Sequence, residues 1–571
     1  MTATLKPGTD WATLYTRCSD AAPEAFGPDR THNHWGGRWR ADGEPRTSYS
    51  PVDGSEIAGP PMLDGATAAR AVARAAEDHR RWSALPLAER RERVRAAVRA
   101  WERHRDTLAL ALVWEIGKPW RLARQDVDRA VSGAEWYLDG VEPMLEGRLP
   151  LDGPVSNIAS WNYPMSVLAH AMCVQALAGN GVIAETPTDG GLVCLTLTLA
   201  VALAVREGLP FTLVSGGGGG LSPALVRGPE IGCVSFVGGR DTGGRVAADL
   251  AGPGRPHVLE QEGLNCWGVW EFGDWETLSG QIRRTFDYAK RRCTAYPRFV
   301  VQRSRFDAFL DAYLTAVRSV RLGHPLAVES ADDDPPELDF GPVINAAKAK
   351  ELTDRVAGAV AGGAVPLYRG GLEDALLLPD RNTDAYVAPV ALLEPPRSSP
   401  LFHAEPFGPV DSIVLVDTEA ELLAAMNASN GALVATVSCD DTDTAERLAA
   451  GVRAFKVGVN RPRSRGDREE LFGGWGDSWL GAFVGGEREG GAHPNRGATA
   501  YRKPVFAHAA SSAKRMGMTW ALRRPDVGSG RCRGLERTGR SRVYRPGPRT
   551  PPVAAEGAAC AFSRRIRCRP A

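Results

Sequence analysis

Three short segments hold residues able to do chemistry together: Ser160-Trp161-Asn162-Tyr163-Pro164, Val258-Leu259-Glu260-Gln261-Glu262-Gly263 and Arg292-Cys293-Thr294, with Cys293 lying 33 residues after Glu260. A thiolate attacks a carbonyl carbon at neutral pH more readily than any hydroxyl, a glutamate can act as a base, and a side-chain amide can donate to a developing anion. Taken singly, each has an ordinary reading. A lone cysteine packs as a small hydrophobe, a lone glutamate is a solvated charge, and an asparagine after a strand serves a turn. Lys290, Arg291 and Arg292 precede the cysteine. Turned inward they would depress the thiol pKa, and turned outward they would be solvated; the sequence leaves both open.

The elements around these residues read as alternating strands and helices. Helical periodicity covers 67–84, 87–105 and 121–138, with Pro86 breaking the first two runs. Apolar runs at 155–161, 182–184, 211–214 and 231–237 read as strands, with helices over 165–178, 192–207 and 242–250 between them. Repeated βα units bury a parallel sheet under helices on both faces, which predicts an α/β fold of the doubly wound, nucleotide-binding kind. A second α/β alternation follows, with strands at 298–302, 411–416, 433–437 and 455–459 and a helix at 442–450. The run Gly216–Gly220 reads as a flexible loop.

Composition narrows the class. The 571 residues are 43% hydrophobic and 24% charged, which suits a soluble globular chain with room for more than one core. The near-zero net charge offers no argument for nucleic acid or an anionic membrane, but it is unevenly spread: residues 508–571 hold 15 Lys and Arg against 3 Asp and Glu, and residues 1–507 hold 54 against 65. The basic segment lacks hydrophobic periodicity and reads as an Arg/Pro/Gly-rich disordered tail. Its aromatics are limited to Trp520, Tyr544 and Phe562, so no nucleic-acid partner is expected. No secretory signal is evident at the N-terminus, and the longest apolar stretch, 191–205, is too short to span a bilayer; a cytoplasmic enzyme with no membrane partner is expected. Ten cysteines with no CxxC pair argue against a disulfide framework and a zinc site, so no metal is expected.

The order and spacing of the three segments resemble the aldehyde dehydrogenase superfamily, whose W-N-[FY]-P, E-L-G-G and G-Q-x-C elements follow in that order. Further matches run colinearly from about residue 115 to 474: Glu115-Ile116-Gly117-Lys118-Pro119, Gly179-Asn180, Phe236-Val237-Gly238 with Gly243, Gly341-Pro342-Val343-Ile344, Glu405-Pro406-Phe407-Gly408-Pro409-Val410, Asn460 and Phe472-Gly473-Gly474. The resemblance implies a Rossmann-like cofactor domain, an α/β catalytic domain and a small β extension for oligomerisation. On that plan residues 1–257 carry the N-terminal helices and the NAD-binding domain, including a bridging strand near 140–155. Residues 258–432 form the catalytic domain, 433–507 return to the cofactor domain and add an oligomerisation strand, and 508–571 are the tail. The resemblance further implies NAD-dependent oxidation of a small-molecule aldehyde to an acid by a homodimer or homotetramer. Cys293 would be the nucleophile, Asn162 with the Cys293 N–H the oxyanion donors, and Glu260, with a raised pKa, the base for hydrolysis. Gly238 and Gly243 would let a helix N-terminus approach the pyrophosphate. Glu405 would hold the nicotinamide ribose, Phe407 would pack beside the ring, and Trp161 would contact the cofactor.

Several positions depart from the pattern. Glu185 stands where the family usually has a lysine at the adenosine ribose; an anion there would accept from ribose hydroxyls and repel a 2′-phosphate, which favours NAD over NADP. Glu262 replaces the first glycine of E-L-G-G, Lys290 and Arg291 replace the Gly and Gln before the cysteine, and Leu471 replaces a proline. Together these leave open a weakened homologue serving as a binding or structural subunit. A CoA-acylating relative generally lacks the catalytic glutamate, so Glu260 argues against that alternative.

Overall fold

The computed structural model describes residues 3–484 apart from 188, 206–207, 253, 430 and 465–469, together with strand residues 505–506 and 522–523. These residues lie in one compact unit, Met1–Pro525; a second unit, Asp526–Ala571, falls outside them, as does nearly all of the expected tail and of the oligomerisation strand.

Two eight-stranded sheets organise the chain. The first runs, edge to edge, through Trp479–Gly481, His257–Gln261, Cys233–Gly238, Val155–Ile158, Val182–Glu185, Phe211–Val214, Asn33–Trp35 and Arg38–Arg40. Five of its six inner strands run parallel to one another with no exposed residue, as βα crossovers on both faces require. Strand order reverses between Val155–Ile158 and Cys233–Gly238, so the carboxyl ends of these two strands border a crevice at the switch point.

The second sheet runs through Val365–Arg369, Val390–Leu393, Val410–Val416, Arg298–Gln302, Cys266–Val269, Val434–Ser438, Lys456–Val459 and Val505–Phe506. All of its pairings are parallel except that of the first edge strand. The crossing from one sheet to the other falls between Gln261 and Cys266, a few residues after the expected boundary at 257/258. Strands Val434–Ser438 and Lys456–Val459 extend the second sheet, so among the described residues of the expected return at 433–507 only Trp479–Gly481 rejoins the first. The reason is that helix Thr442–Gly451 is a parallel crossover between two neighbouring strands of one sheet.

Elsewhere the pattern reads closely, with instructive exceptions. Helix Arg105–Ile116 has no amphipathic stripe because Leu108 to Ile116 are buried on every side, so periodicity gives no sign of it. The expected bridging strand near 140–155 is helix up to Leu145, followed by the short strand Leu149–Pro150. Three residues of the glycine run, Gly218 to Gly220, are not loop but the first turn of helix Gly218–Leu225, anchored by buried Leu221, Ala224 and Leu225. The expected helix at 165–178 opens as a π-helix, Pro164–Ala169, before continuing as His170–Leu177. Among the described residues, no helix is long and apolar enough to cross a membrane.

Candidate active site and dinucleotide cleft

At the switch point the structure opens a cleft of about 750 Å³, lined by Ile158 to Trp161, Glu185 to Pro187, Gly218, Gly219, Phe236 to Gly239 and Thr242, among others. Helix Arg240–Leu250 starts there with Gly239 as N-cap and no side-chain cap, so its first N–H groups remain available to an anion. Three of the expected cofactor residues, Trp161, Glu185 and Gly238, line this cleft. Gly243 does not. It is buried against Gln261, whose side chain a Cβ would meet at 2.5 Å, so its part is to let the helix close on its strand.

Glu185 is buried at the end of strand Val182–Glu185, and desolvation pushes its carboxyl up to about 7. Glu405 is 4% exposed, and neither carboxylate oxygen has a well-formed hydrogen bond. Burial, then the charges of Glu262 and Glu260, push its pKa well up, and Lys348 and the Gly263 N–H only partly offset them. A buried carboxyl with unspent acceptors suits a ligand rich in hydroxyls. Phe407, in the left-handed region at φ 51°, packs edge-on to Trp161 at 5.8 Å and so reaches the cleft through that ring. Cleft size and open helix N-terminus together fit a dinucleotide, and Glu405 and Phe407 are not among the residues that line the cleft.

Asn162, next to Trp161, reaches the loop of Cys293. Asn162 is buried, its Oδ1 accepts from the Ser160 hydroxyl at 2.5 Å, and its Nδ2 donates to the Arg291 carbonyl at 3.1 Å. Ser160 therefore fixes which way the amide faces and turns the N–H pair toward the cysteine loop. Of the seven described cysteines, six are buried and only Cys293 is partly exposed. Its carbonyl, with that of Ala295, accepts from Asn265 Nδ2, both at 2.8 Å, while Asn265 Oδ1 accepts from the Leu433 and Val434 N–H groups. Asn265 thus pins the cysteine loop to the second sheet. Sequence reasoning missed this residue; a fully buried amide at the start of an apolar strand was the available signal. Glu260 sits, partly exposed, on strand His257–Gln261 between Val237 and Trp479, within electrostatic reach of Glu405.

The cations before the cysteine are committed to partners. Lys290 pairs with Asp411 at 2.9 Å, both buried, and donates to Thr285 Oγ1 and the Tyr296 carbonyl. Arg292 donates to the Arg284 and Thr285 carbonyls at the end of helix Trp275–Thr285, where a positive charge suits the macrodipole. Arg291 is fully buried against carbonyls and rings. Tyr288, Ala289 and Lys290 are all left-handed, with φ 60°, 52° and 57°, so the loop holds three successive residues in a disfavoured conformation. Glu262 causes no such difficulty. Its φ is not among the positive ones, and a Cβ on Gly239 would stand 3.9 Å from its Oε2, so the side chain extends toward the turn at the cleft.

This is a doubly wound α/β protein with a cleft at the switch point of its first sheet and a partly exposed cysteine whose loop is bonded to a carboxamide. The family model described as the aldehyde dehydrogenase family matches residues 39–492. Betaine aldehyde dehydrogenase 2 of Rhizobium meliloti (strain 1021) is 30% identical over 439 residues, 72% of this chain and 85% of that protein. The NADP-dependent glyceraldehyde-3-phosphate dehydrogenase from Bacillus halodurans C-125, solved with NADP, superposes with a TM-score of 0.71 at 25% identity, over 80% of this chain and 95% of that one. Lactaldehyde dehydrogenase from Escherichia coli shares the fold, with a TM-score of 0.70 at 22% identity over 80% and 96% of the two chains. The chain belongs to the aldehyde dehydrogenase family of oxidoreductases.

Proposed function

We propose that this chain oxidises an aldehyde to a carboxylic acid, with NAD rather than NADP as acceptor, through a thiohemiacetal and then a thioester on Cys293. The observation that carries the reading is the Asn162 amide, oriented by Ser160 and bonded to the loop of the only partly exposed described cysteine, next to the cleft at Trp161.

The Cys293 thiolate adds to the aldehyde carbon, and the former carbonyl oxygen becomes an oxyanion. Asn162 Nδ2 and the Cys293 N–H donate to it. Collapse of the adduct re-forms the C=O bond and expels hydride from the same carbon. The dinucleotide, when bound, supplies the hydride acceptor. Trp161 and Phe407 would border it on the catalytic side, Glu405 would offer its two oxygens to ribose hydroxyls, and Gly238 and the N-terminus of helix Arg240–Leu250 would receive its phosphates. Glu260 takes a proton from water, the hydroxide attacks the thioester carbon, and the Cys293 thiolate leaves as the acid departs. Glu185 sets the preference for NAD, since an ionised carboxylate at the adenosine end repels a 2′-phosphate. The resemblance carries the expectation of a homodimer or homotetramer, which light scattering of the purified chain decides.

NADH formation with a panel of aldehydes, followed by absorbance, tests the reading, with Cys293→Ala as the control. Turnover that needs Cys293 supports it. No turnover, with no rise in Tm on adding NAD, overturns it in favour of a non-catalytic homologue.

A further inference from the structure

Arg291 stands where the resembling family has a glutamine, and its surroundings explain what the larger group does. The side chain is fully buried. Nη1 donates to the Ile116 carbonyl at 3.0 Å, Nη2 to the Gly117 carbonyl at 3.4 Å and Nε to the Tyr288 carbonyl at 3.3 Å. The guanidinium lies 4.0 Å from the Tyr288 ring centre and 5.3 Å from that of Trp161. Among the described residues no carboxylate pairs with it. Ile116 and Gly117 end helix Arg105–Ile116, whose negative dipole end supplies compensation of its own.

Two further contacts make this a junction. The Arg291 carbonyl accepts from Asn162 Nδ2, so the side chain of the residue anchors its own loop while its main chain anchors the carboxamide. Lys118, paired with Asp126 at 2.7 Å, lies 4.9 Å from the Tyr288 ring and 4.0 Å from the Tyr163 ring, and Asp126 accepts from the Ser166 N–H at 3.0 Å. The Asn162 turn and the Cys293 loop are thereby held through adjacent rings. The need for an anchor is plain, because three left-handed residues precede Arg291 and such a turn opens unless its surroundings hold it.

We propose that Arg291 is a positioning residue for the reaction: its forked guanidinium ties the loop of Cys293 to the end of helix Arg105–Ile116 and to Trp161, and so fixes the thiol relative to the Asn162 amide. The fork matters because one planar group with five donors reaches three carbonyls in different directions, which an ammonium cannot do while also lying against two rings. This rests on the aldehyde-oxidising reading for its kinetic consequences, but the geometry of the loop is testable without it.

The test uses the full chain carrying Arg291→Met, Arg291→Lys or Arg291→Gln, alone and with Asn162→Ala. Arg291→Met is expected to lower kcat by about 10- to 100-fold with KM changed less than about threefold, as misplacement of aligned groups does. In the Asn162→Ala background the same substitution is expected to cost less than about threefold, because the amide it serves is gone. Arg291→Lys should behave like Arg291→Met, and Arg291→Gln, which keeps donors for the carbonyls, should recover part of the loss. An unchanged kcat, full recovery by lysine, or losses that multiply in the double variant would overturn the proposal. Should the wild-type chain oxidise no aldehyde, the functional reading fails separately, and alkylation of Cys293 by iodoacetamide decides the role of Arg291. A change of at least about fivefold in alkylation rate in Arg291→Gln, with Tm near wild type, supports it, and equal rates refute it.

Discussion

Replacing Lys290 by methionine gives the sharpest stability test of how the nucleophile loop is held. The ammonium is 1% exposed and Asp411 is fully buried, and the pair sits at 2.9 Å with Thr285 Oγ1 and the Tyr296 carbonyl completing the lysine's donors. Methionine keeps most of the volume and removes the charge, leaving Asp411 with only the Tyr313 hydroxyl at 2.8 Å. Breaking one side of a buried pair costs about 3–5 kcal/mol, against about 0–1 for an exposed pair. The loss must also depend on pH. Burial already raises the Asp411 pKa and Lys290 is what opposes that, so without the lysine the folded-state pKa climbs further above the unfolded value. A carboxyl with a raised folded pKa loses stability as pH rises from the unfolded value toward the folded one, by up to about 1.4 kcal/mol per unit. Urea midpoints of Lys290→Met and wild type should therefore lie closer at pH 5.5 than at pH 8, and Lys290→Met/Asp411→Asn should restore much of the loss. A deficit below about 1 kcal/mol, or one equal at both pH values, would refute the claim that this pair holds the strained turn.

Asn162→Ala should lower kcat by about 100- to 1000-fold, the effect of deleting one oxyanion donor, while Ser160→Ala, which only frees the amide to turn, should cost about fivefold; steady-state kinetics showing the reverse order would contradict the assigned orientation. Glu185→Gln should narrow the preference for NAD over NADP by about tenfold at pH 8 and hardly at all at pH 6, since the wild-type carboxyl, with its pKa pushed up to about 7, is largely protonated at the lower pH. Dissociation constants for the two dinucleotides at both pH values check this, and a pH-independent ratio in wild type would count against Glu185. Asn265→Ala removes four hydrogen bonds joining the cysteine loop to the second sheet and should lower Tm and kcat together, whereas a loss of kcat at unchanged Tm would mean a direct role in chemistry.

The parallel strands and most crossover helices were legible because apolar runs and 3.6-residue periodicity are local, as the identical bounds for Phe211–Val214 and Arg298–Gln302 show. Asn162, Glu260 and Cys293 stand out in the sequence by order and spacing; the structure bonds the Asn162 amide to the Arg291 carbonyl in the Cys293 loop and sets Glu260 in register with Val237 and Trp479. What escaped depends on partners distant in sequence. Nothing near Lys290 announces Asp411, 121 residues on, and nothing near Arg291 announces Ile116. Read locally, Lys-Arg in place of Gly-Gln looks like damage to the loop, and only the fold reveals a cavity furnished with a counter-ion for one and carbonyls for the other. Gly243, singled out by its place in a phosphate-binding pattern, packs against Gln261 and is not among the residues that line the cleft.

The buried charges around the nucleophile also add up in a way that bears on rate. Lys118 is neutralised by Asp126 and Lys290 by Asp411, while Arg292 rests on helix carbonyls toward solvent. Among the described cations of this loop, that leaves Arg291 as the fully buried one with no anionic side chain beside it. Negative charge in the proposed reaction is greatest on the oxyanion, next to the Asn162 amide that the Arg291 carbonyl anchors. The Arg291 guanidinium is engaged by three carbonyls and two rings, so it serves that oxyanion through the amide it helps to place. Substituting glutamine should thus keep the loop only partly anchored, which is why kcat in Arg291→Gln should fall short of wild type, and lysine, which keeps the charge but not the fork, should not restore it.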